Sequence, residues 1–486
     1  MNSGVPKKQA AWLLVCLFAA GLALVLYLAF RQRVYDDPFI TYRYANNLAH
    51  GVGFVYNPGE RVLSTTTPLF TLLLAALALL PVDLPHLALA LGAAGLALCG
   101  IFLWDLGHSW KTPAAGWAGL LLLPSFPLLI TTLGSETPLY LALCTGAFAF
   151  YARRRYAWTA VFAALATLTR PDGILVPALL GAHFVGTHLN LKNPGNLARL
   201  IPWKALLAFV LLVAPWFIFA WVYFGSPLPV TLAAKQYQGA MATSVKFLPG
   251  FLAMVRLYGS NWHYQSAAAV ALLGAANLFW KGRAWLLLLG WPAIYFVAYV
   301  ALGVSGYFWY YAPLALAFIV LTGLGIDLVA RTTLKALRRP AQALALVLVV
   351  GLAFLQAQDL AQLRLQPEGR ERIYRATGEW LAENTPPQAW VATLEVGIIG
   401  FYAQRPMIDF AGLLQPDVAR QLDSLKTYAA AASWAVQHFR PSYLVLHQGS
   451  FPDLETGYVP QNCRMVKQFK GADYGYDSNL DIYACR

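Results

Sequence analysis

Tyr35-Asp36-Asp37-Pro38-Phe39-Ile40-Thr41-Tyr42-Arg43-Tyr44-Ala45 follows the first apolar run of the chain, residues 13–30, after a short basic link, Arg31-Gln32-Arg33. Two adjacent carboxylates are costly to hold so close to hydrocarbon, and ionisable residues at a membrane are read by default as functional. The alternative is a solvated charge pair on a loop. Which reading holds depends on whether the rest of the chain is built for lipid, and on which side of the membrane Asp36 and Asp37 emerge.

Composition answers the first question. Of 486 residues, 59% are hydrophobic and 12% charged, with a mean hydropathy of +0.54, whereas a soluble domain carries about 25% charged residues. Apolar stretches approaching the roughly 20 residues of a membrane helix recur along the chain, while a cleaved signal would supply only one. The fold class is therefore a polytopic α-helical membrane protein. Lys7 and Lys8 imitate a signal peptide, but no small-residue cleavage site follows residue 30, so the first helix is read as retained. In a membrane protein the net charge of +13 answers first to the positive-inside rule, and no nucleic-acid partner is expected. Cys16, Cys99 and Cys144 lie in apolar stretches as small hydrophobes. Cys463 and Cys485 share the polar tail, where either a disulfide or two free thiols is open.

Basic clusters at residues 153–155, 192–204, 281–283 and 331–339 are expected on the cytoplasmic side. Helices between them then run near 137–151, 157–169, 172–186, 205–224, 266–280, 284–302, 309–329 and 341–357. Working backwards places Glu136 outside, Lys111 inside and helix 84–104 descending from outside. The apolar stretch 68–80 is short and ends in Pro81-Val82-Asp83-Leu84-Pro85. As a full crossing it would invert everything after it, so it is read as a juxtamembrane or re-entrant element of a long first external loop, 31–83. This gives 11 crossings, with the N-terminus cytoplasmic. Residues 1–357 form the membrane domain, and residues 358–486 emerge outside. In that tail a helical pattern over 370–383 and short apolar runs at 390–394 and 443–446 read as a small α/β domain.

The external side thus gathers loop 31–83, Glu136, the turn Arg170-Pro171-Asp172-Gly173, loop 225–265, turn 303–308 and the tail. The sequence carries no Walker or dinucleotide-binding glycine motif and no paired His or Cys spacing for a metal, which disfavours a nucleotide-fuelled pump.

The opening stretch, continued through Gly51-Val52-Gly53-Phe54-Val55-Tyr56-Asn57-Pro58-Gly59-Glu60, resembles the first external loop of GT-C glycosyltransferases. It is similar to the lipid-linked-sugar enzymes around the mycobacterial terminal arabinofuranosyltransferase, and more distantly Asp37-Pro38 through Tyr42-Arg43 resembles the acidic loop of oligosaccharyltransferase catalytic subunits. Gly134-Ser135-Glu136-Thr137-Pro138, Leu168-Thr169-Arg170-Pro171-Asp172-Gly173 and the stretch from Tyr223-Phe224-Gly225-Ser226-Pro227 to Lys235 match later external segments. Glu395-Val396-Gly397 to Asp409-Phe410-Ala411-Gly412 is of the type seen in the tail. The likeness weakens after about residue 420. It implies a GT-C fold of about 11 to 13 membrane helices with an extracytoplasmic α/β domain, in the plasma membrane. It further implies transfer of a sugar from a polyprenyl-phosphate donor to a glycan, lipid or protein acceptor on the outer face.

Attack of a hydroxyl on an anomeric carbon is helped by a carboxylate that takes the proton as the bond forms. Asp37 is favoured as base because it is the position that matches across the wider family. In an extended segment its neighbour Asp36 points the other way, to orient the loop or bind a sugar hydroxyl. The leaving phosphate needs cationic partners, for which Lys235, Arg43 and Arg170 are candidates. Arg43 could instead pair with Asp36, Asp37 or Glu60, and Arg170 could simply lock its turn through Asp172. Glu136 opens a helix, where a carboxylate is stabilising anyway, or contacts sugar hydroxyls or a metal; a divalent metal is left open. His263, between Trp262 and Tyr264, could reach acceptor or phosphate, or belong to an interfacial aromatic belt. A secondary transporter or lipid-carrier flippase with a soluble cap is the competing reading. It calls for mid-membrane ionisable residues and internal symmetry, and neither pattern is present.

Overall fold

The computed structural model describes residues 4–189, 199–334, 337–365 and 369–486. Of the basic clusters, Lys192 and Lys335 lie outside the described residues. Among the described residues six helices are long and apolar enough to cross a membrane, the first Gln9–Phe30 and the last beginning at Arg339. Between them lie shorter apolar helices, including Thr137–Ala152 and Tyr156–Thr169. Most helices expected from the charge map appear within a few residues of their expected positions, for example Leu84–Ser109, Trp203–Phe224, Trp285–Leu302 and Ala312–Thr333. Between Lys111 and Glu136 the chain is broken instead into Pro113–Leu122 and the single turn Pro127–Ile130, each opened by a proline. Proline fits the first turn of a helix and cannot continue the turn before it. The helix Pro68–Leu77 has 10 residues, about 15 Å at the usual rise, half the hydrocarbon thickness.

The segment after the first helix departs from its expected shape. Asp36 has helical backbone angles and Asp37–Ala49 is a helix with Pro38 in its first turn, not an extended strand. Successive side chains therefore diverge by a helical step rather than by strand alternation. Nine of its 13 residues are buried, including Arg43, because it lies between the membrane helices and the tail. Phe39 packs edge-on against Phe401 at 5.5 Å, and the Tyr42 hydroxyl donates to the Gly134 carbonyl at 2.5 Å.

The tail begins with helix Gly369–Asn384 and carries a five-stranded sheet of β1 (Val391–Thr393), β2 (Met407–Asp409), β3 (Tyr443–His447), β4 (Cys463–Phe469) and β5 (Leu480–Cys485). The spatial order is β2-β1-β3-β5-β4. β1 runs parallel to β2 and β3, and β5 antiparallel to β3 and β4. β1 and β2 are wholly buried, with burial on both faces, as a parallel pair covered on both sides requires. Cys463 and Cys485 stand opposite each other in the β4–β5 ladder and form a disulfide, pinning the strand at the sheet edge.

Candidate active site

Asp36 and Asp37 sit at the start of the loop helix, yet their carboxylates face different neighbours. Asp36 accepts hydrogen bonds from the backbone N–H groups of Gly397, at 2.9 Å, and Ile398, at 2.7 Å. It is 9% exposed and does not line the cavity described next. Burial, then the Glu395 carboxylate, push its pKa up, while the two amides pull it down. Of the two supporting roles open to it in the sequence, Asp36 is placed to orient the loop, which it ties to the tail. Gly397 belongs to the same contact: a Cβ there would lie 2.0 Å from the Asp36 carbonyl oxygen, so only glycine allows this approach.

Asp37 opens the helix and turns instead into a cavity of about 390 Å³, within the size range of small-ligand sites. Its Oδ2 accepts from Lys235 Nζ at 3.2 Å. Lys235 projects from helix Val230–Ala240 into an aromatic cage, 4.7 Å from the Tyr307 ring centre and 5.2 Å from that of Trp309. Burial opposes charge on this amine, but Tyr310 and Asp37 more than offset it and its pKa is raised. Cation–π contact and a carboxylate are what hold an ammonium in so enclosed a place.

Across the cavity Arg170 donates to Glu136 at 3.1 Å and to Asp172 at 2.9 Å. Tyr299 joins them, donating to Asp172 at 2.6 Å and accepting from Arg170 at 3.0 Å. Arg170 ends helix Tyr156–Thr169 with extended backbone angles, the conformation a residue before proline favours, and so aims its guanidinium inward. Glu136, Asp37, Lys235, Arg170 and Asp172 all line the one cavity. The tail contributes Leu413 to its wall, placed by Asp409, whose carboxylate accepts from the backbone N–H groups of Ala411, Leu413 and Leu414.

Two expected ligands lie elsewhere. Arg43 is 2% exposed. It donates to the carbonyls of Tyr56 at 3.1 Å, Arg405 at 2.6 Å and Gly400, and pairs with none of Asp36, Asp37 or Glu60. Its guanidinium is a strut between loop and tail, because its face of the helix points away from the cavity. His263 bonds Asp359 at 2.9 Å, an oxygen that also accepts from Tyr264 at 2.9 Å, and it lies away from the cavity. The donor set does not fit a divalent ion: Asp37, Glu136 and Asp172 each face a cation, and among the described residues no three His, Cys, Asp or Glu side chains gather to hold a metal.

Sequence reasoning missed the wall beside the Asp37–Lys235 pair. Thr41, one turn after Asp37 on the same helix face, lines the cavity with the run Ser64-Thr65-Thr66-Thr67 and with Thr231. The only sequence signal was that run of hydroxyls before Pro68, which reads equally well as a helix-starting turn.

Comparison with known proteins shows where this architecture recurs. A family model described as a domain of unknown function (DUF8728) matches residues 358–483, and no curated protein matches the chain in sequence. Among solved structures it is similar to ArnT from Cupriavidus metallidurans bound to undecaprenyl phosphate, with a TM-score of 0.64 and 15% identity over 96% of this chain and 97% of that one. It is also similar to the apo oligosaccharyltransferase of Archaeoglobus fulgidus, with a TM-score of 0.60 and 15% identity over 91% of this chain and 70% of the other. The same organism's AglB in complex with an inhibitory peptide and a dolichol-phosphate gives 0.60 and 14% identity over 92% and 70%. The chain therefore has the GT-C membrane fold, with a small C-terminal sheet domain.

Proposed function

We propose that this protein is a membrane glycosyltransferase that takes a sugar from a polyprenyl-phosphate donor and passes it to a hydroxyl of a glycan, lipid or protein acceptor. The active site and the unit 358–486 face the extracytoplasmic side of the plasma membrane, and residues 1–357 form the membrane-embedded catalytic unit. The observation that carries this reading is the Asp37–Lys235 pair, 3.2 Å apart, facing the same cavity as Arg170 and Glu136. The similar ArnT structure binds undecaprenyl phosphate, and the similar AglB structure holds a dolichol-phosphate.

The reaction is a direct displacement. The acceptor oxygen bonds the anomeric carbon as the bond from that carbon to the phosphate oxygen breaks. The electron pair leaves with the phosphate, and the acceptor's proton goes to Asp37. Lys235 and Arg170 meet the negative charge that builds on the leaving phosphate, Arg170 through its planar fork and Lys235 as a point charge. When phosphate draws Lys235 towards itself, Asp37 gives up its cationic partner and becomes a better proton acceptor. Donor binding and activation of the base are thereby linked.

The test is incubation of the purified protein in nanodiscs with a panel of undecaprenyl-phosphate sugars, following transfer to added acceptors or slow donor hydrolysis. The parent protein turns over at least one donor, and Asp37→Asn loses that turnover while still binding it. Full activity in Asp37→Asn overturns the base assignment, and neither turnover nor binding of any donor overturns the reading itself.

A further inference from the structure

The helix Val230–Ala240, which carries Lys235, is fixed at three points. At its start Val230 N–H donates to the Leu63 carbonyl at 2.9 Å. Near its end Gly239 seats the helix on the turn before the aromatic cage, where a Cβ would collide with the Gly303 carbonyl oxygen. The third point is Gln238, 3% exposed and three residues past Lys235, which sets both side chains on one face of the helix.

Both ends of the Gln238 amide are used. Its Oε1 accepts from the Tyr307 hydroxyl at 2.8 Å, and its Nε2 donates to the Ala411 carbonyl at 3.1 Å. A carbonyl can only accept, so Nε2 must face Ala411 and Oε1 is left for the hydroxyl. Ionised glutamate would lack the donor, and methionine would lack both groups. Each partner leads somewhere. Tyr307 belongs to the cage around Lys235, its ring centre 4.7 Å from the ammonium, and it stacks on Trp309 at 4.6 Å and 12°. Trp309 stacks in turn on Tyr35 at 5.2 Å, two residues before Asp37. Ala411 belongs to the tail segment gathered by Asp409, to whose carboxylate its N–H donates at 2.7 Å, and the same segment brings Leu413 to the cavity wall.

A buried amide can be satisfied without reaching any functional group, but this one is satisfied by the ring that faces the ammonium. Lysine carries much rotamer entropy, and an ammonium ordered in advance loses less freedom when phosphate binds. We infer that Gln238 is a positioning residue for the donor phosphate: it holds Tyr307 against Lys235 and ties that cage to the tail at Ala411, so that Lys235 is in place only while the tail is docked. This rests on the polyprenyl-phosphate reading of Lys235 and adds to it the residue through which the tail acts on the site.

The probe is undecaprenyl phosphate, its dissociation constant measured on the full chain in nanodiscs for the parent, Tyr307→Phe and Gln238→Met, and for both changes in a Lys235→Met background. Tyr307→Phe keeps the ring and removes the bond to Gln238, and it weakens binding roughly 3- to 10-fold, the scale of one hydrogen bond. Gln238→Met, which also releases Ala411, weakens it at least as much. In the Lys235→Met background either change costs less than about twofold, because both act through the ammonium, whereas a general loosening of the fold repeats its loss in full. Hydrogen exchange read by mass spectrometry, with no lipid phosphate added, is faster in Gln238→Met over both 303–311 and 409–414. Unchanged or tighter binding in Tyr307→Phe, equal losses in the two backgrounds, or unchanged exchange in either segment overturns the role of Gln238. If the parent itself does not bind undecaprenyl phosphate, it is the donor reading that falls. If Gln238→Met does not fold, Tyr307→Phe in the two backgrounds still decides.

Discussion

Asp37 and Asp36 are neighbours in sequence with separate work, because a helical step turns one carboxylate into the cavity and the other onto the tail. With Asp37 as the proposed base, Asp37→Asn keeps the shape and removes the proton acceptor, so kcat is expected to fall roughly 10²- to 10⁴-fold, with the dissociation constant of undecaprenyl phosphate nearly unchanged. Single-turnover kinetics with an undecaprenyl-phosphate sugar, set beside donor binding, separate the two effects. Asp36→Ala is a structural change: it strips the partner from two buried amides, those of Gly397 and Ile398, at about 2–4 kcal/mol. Thermal unfolding of the full chain registers that loss, and activity at a temperature where the variant remains folded stays well above that of Asp37→Asn. Equal loss of kcat in two variants of equal stability would contradict the division of labour.

At the scale of elements, the helix Asp37–Ala49 is the keystone between the membrane helices and the tail. Arg43 is its strongest link, a buried guanidinium spending its donors on carbonyls of Tyr56, Gly400 and Arg405 while stacking 4.4 Å over the Tyr56 ring. Lysine keeps the charge but cannot span three carbonyls, so Arg43→Lys is expected to cost about 2–4 kcal/mol and to expose the segment 396–407 to faster hydrogen exchange, read by mass spectrometry. An unchanged exchange pattern would show that the strut is dispensable. This link also marks what sequence could and could not tell. Spans were legible from apolar length and charge alternation, and with them the shared side of Asp37, Glu136, Arg170 and Lys235. The role of Arg43 was not, because its partner Gly400 lies 357 positions away and no local pattern records which face of a buried helix meets which loop. What Asp36 holds was hidden for the same reason, its amide partners being more than 360 positions distant. The hydroxyls of residues 64–67 escaped notice because a Ser and Thr run before a proline has a commoner meaning, a turn that starts a helix.

For the molecule as a whole, the tail is tied to the membrane unit through polar contacts that must keep their protonation states. Deep in the tail, His447 Nε2 lies 2.9 Å from the Tyr374 hydroxyl, and helix Gly369–Asn384, which carries Tyr374, underlies the segment that Asp36 and Arg43 grip. Burial, reinforced by Arg370, pushes the His447 pKa down to about 4, against an ordinary value near 6.5. The folded state therefore disfavours the proton that the unfolded chain binds. The contribution of this neutral imidazole is fully present above about pH 6.5 and is lost as pH falls through 4, amounting to up to about 3 kcal/mol for a shift of this size. Unfolding of the purified protein followed between pH 7.5 and 4 should show the tail destabilised across that window. In His447→Gln, whose side-chain carbonyl can still accept from Tyr374, that part of the pH dependence should flatten while the stability at pH 7.5 changes little. An equally steep acid loss in His447→Gln would assign the sensitivity to other groups, and the parallel test with Asp36→Asn would then show whether the loop–tail contact is the element that titrates.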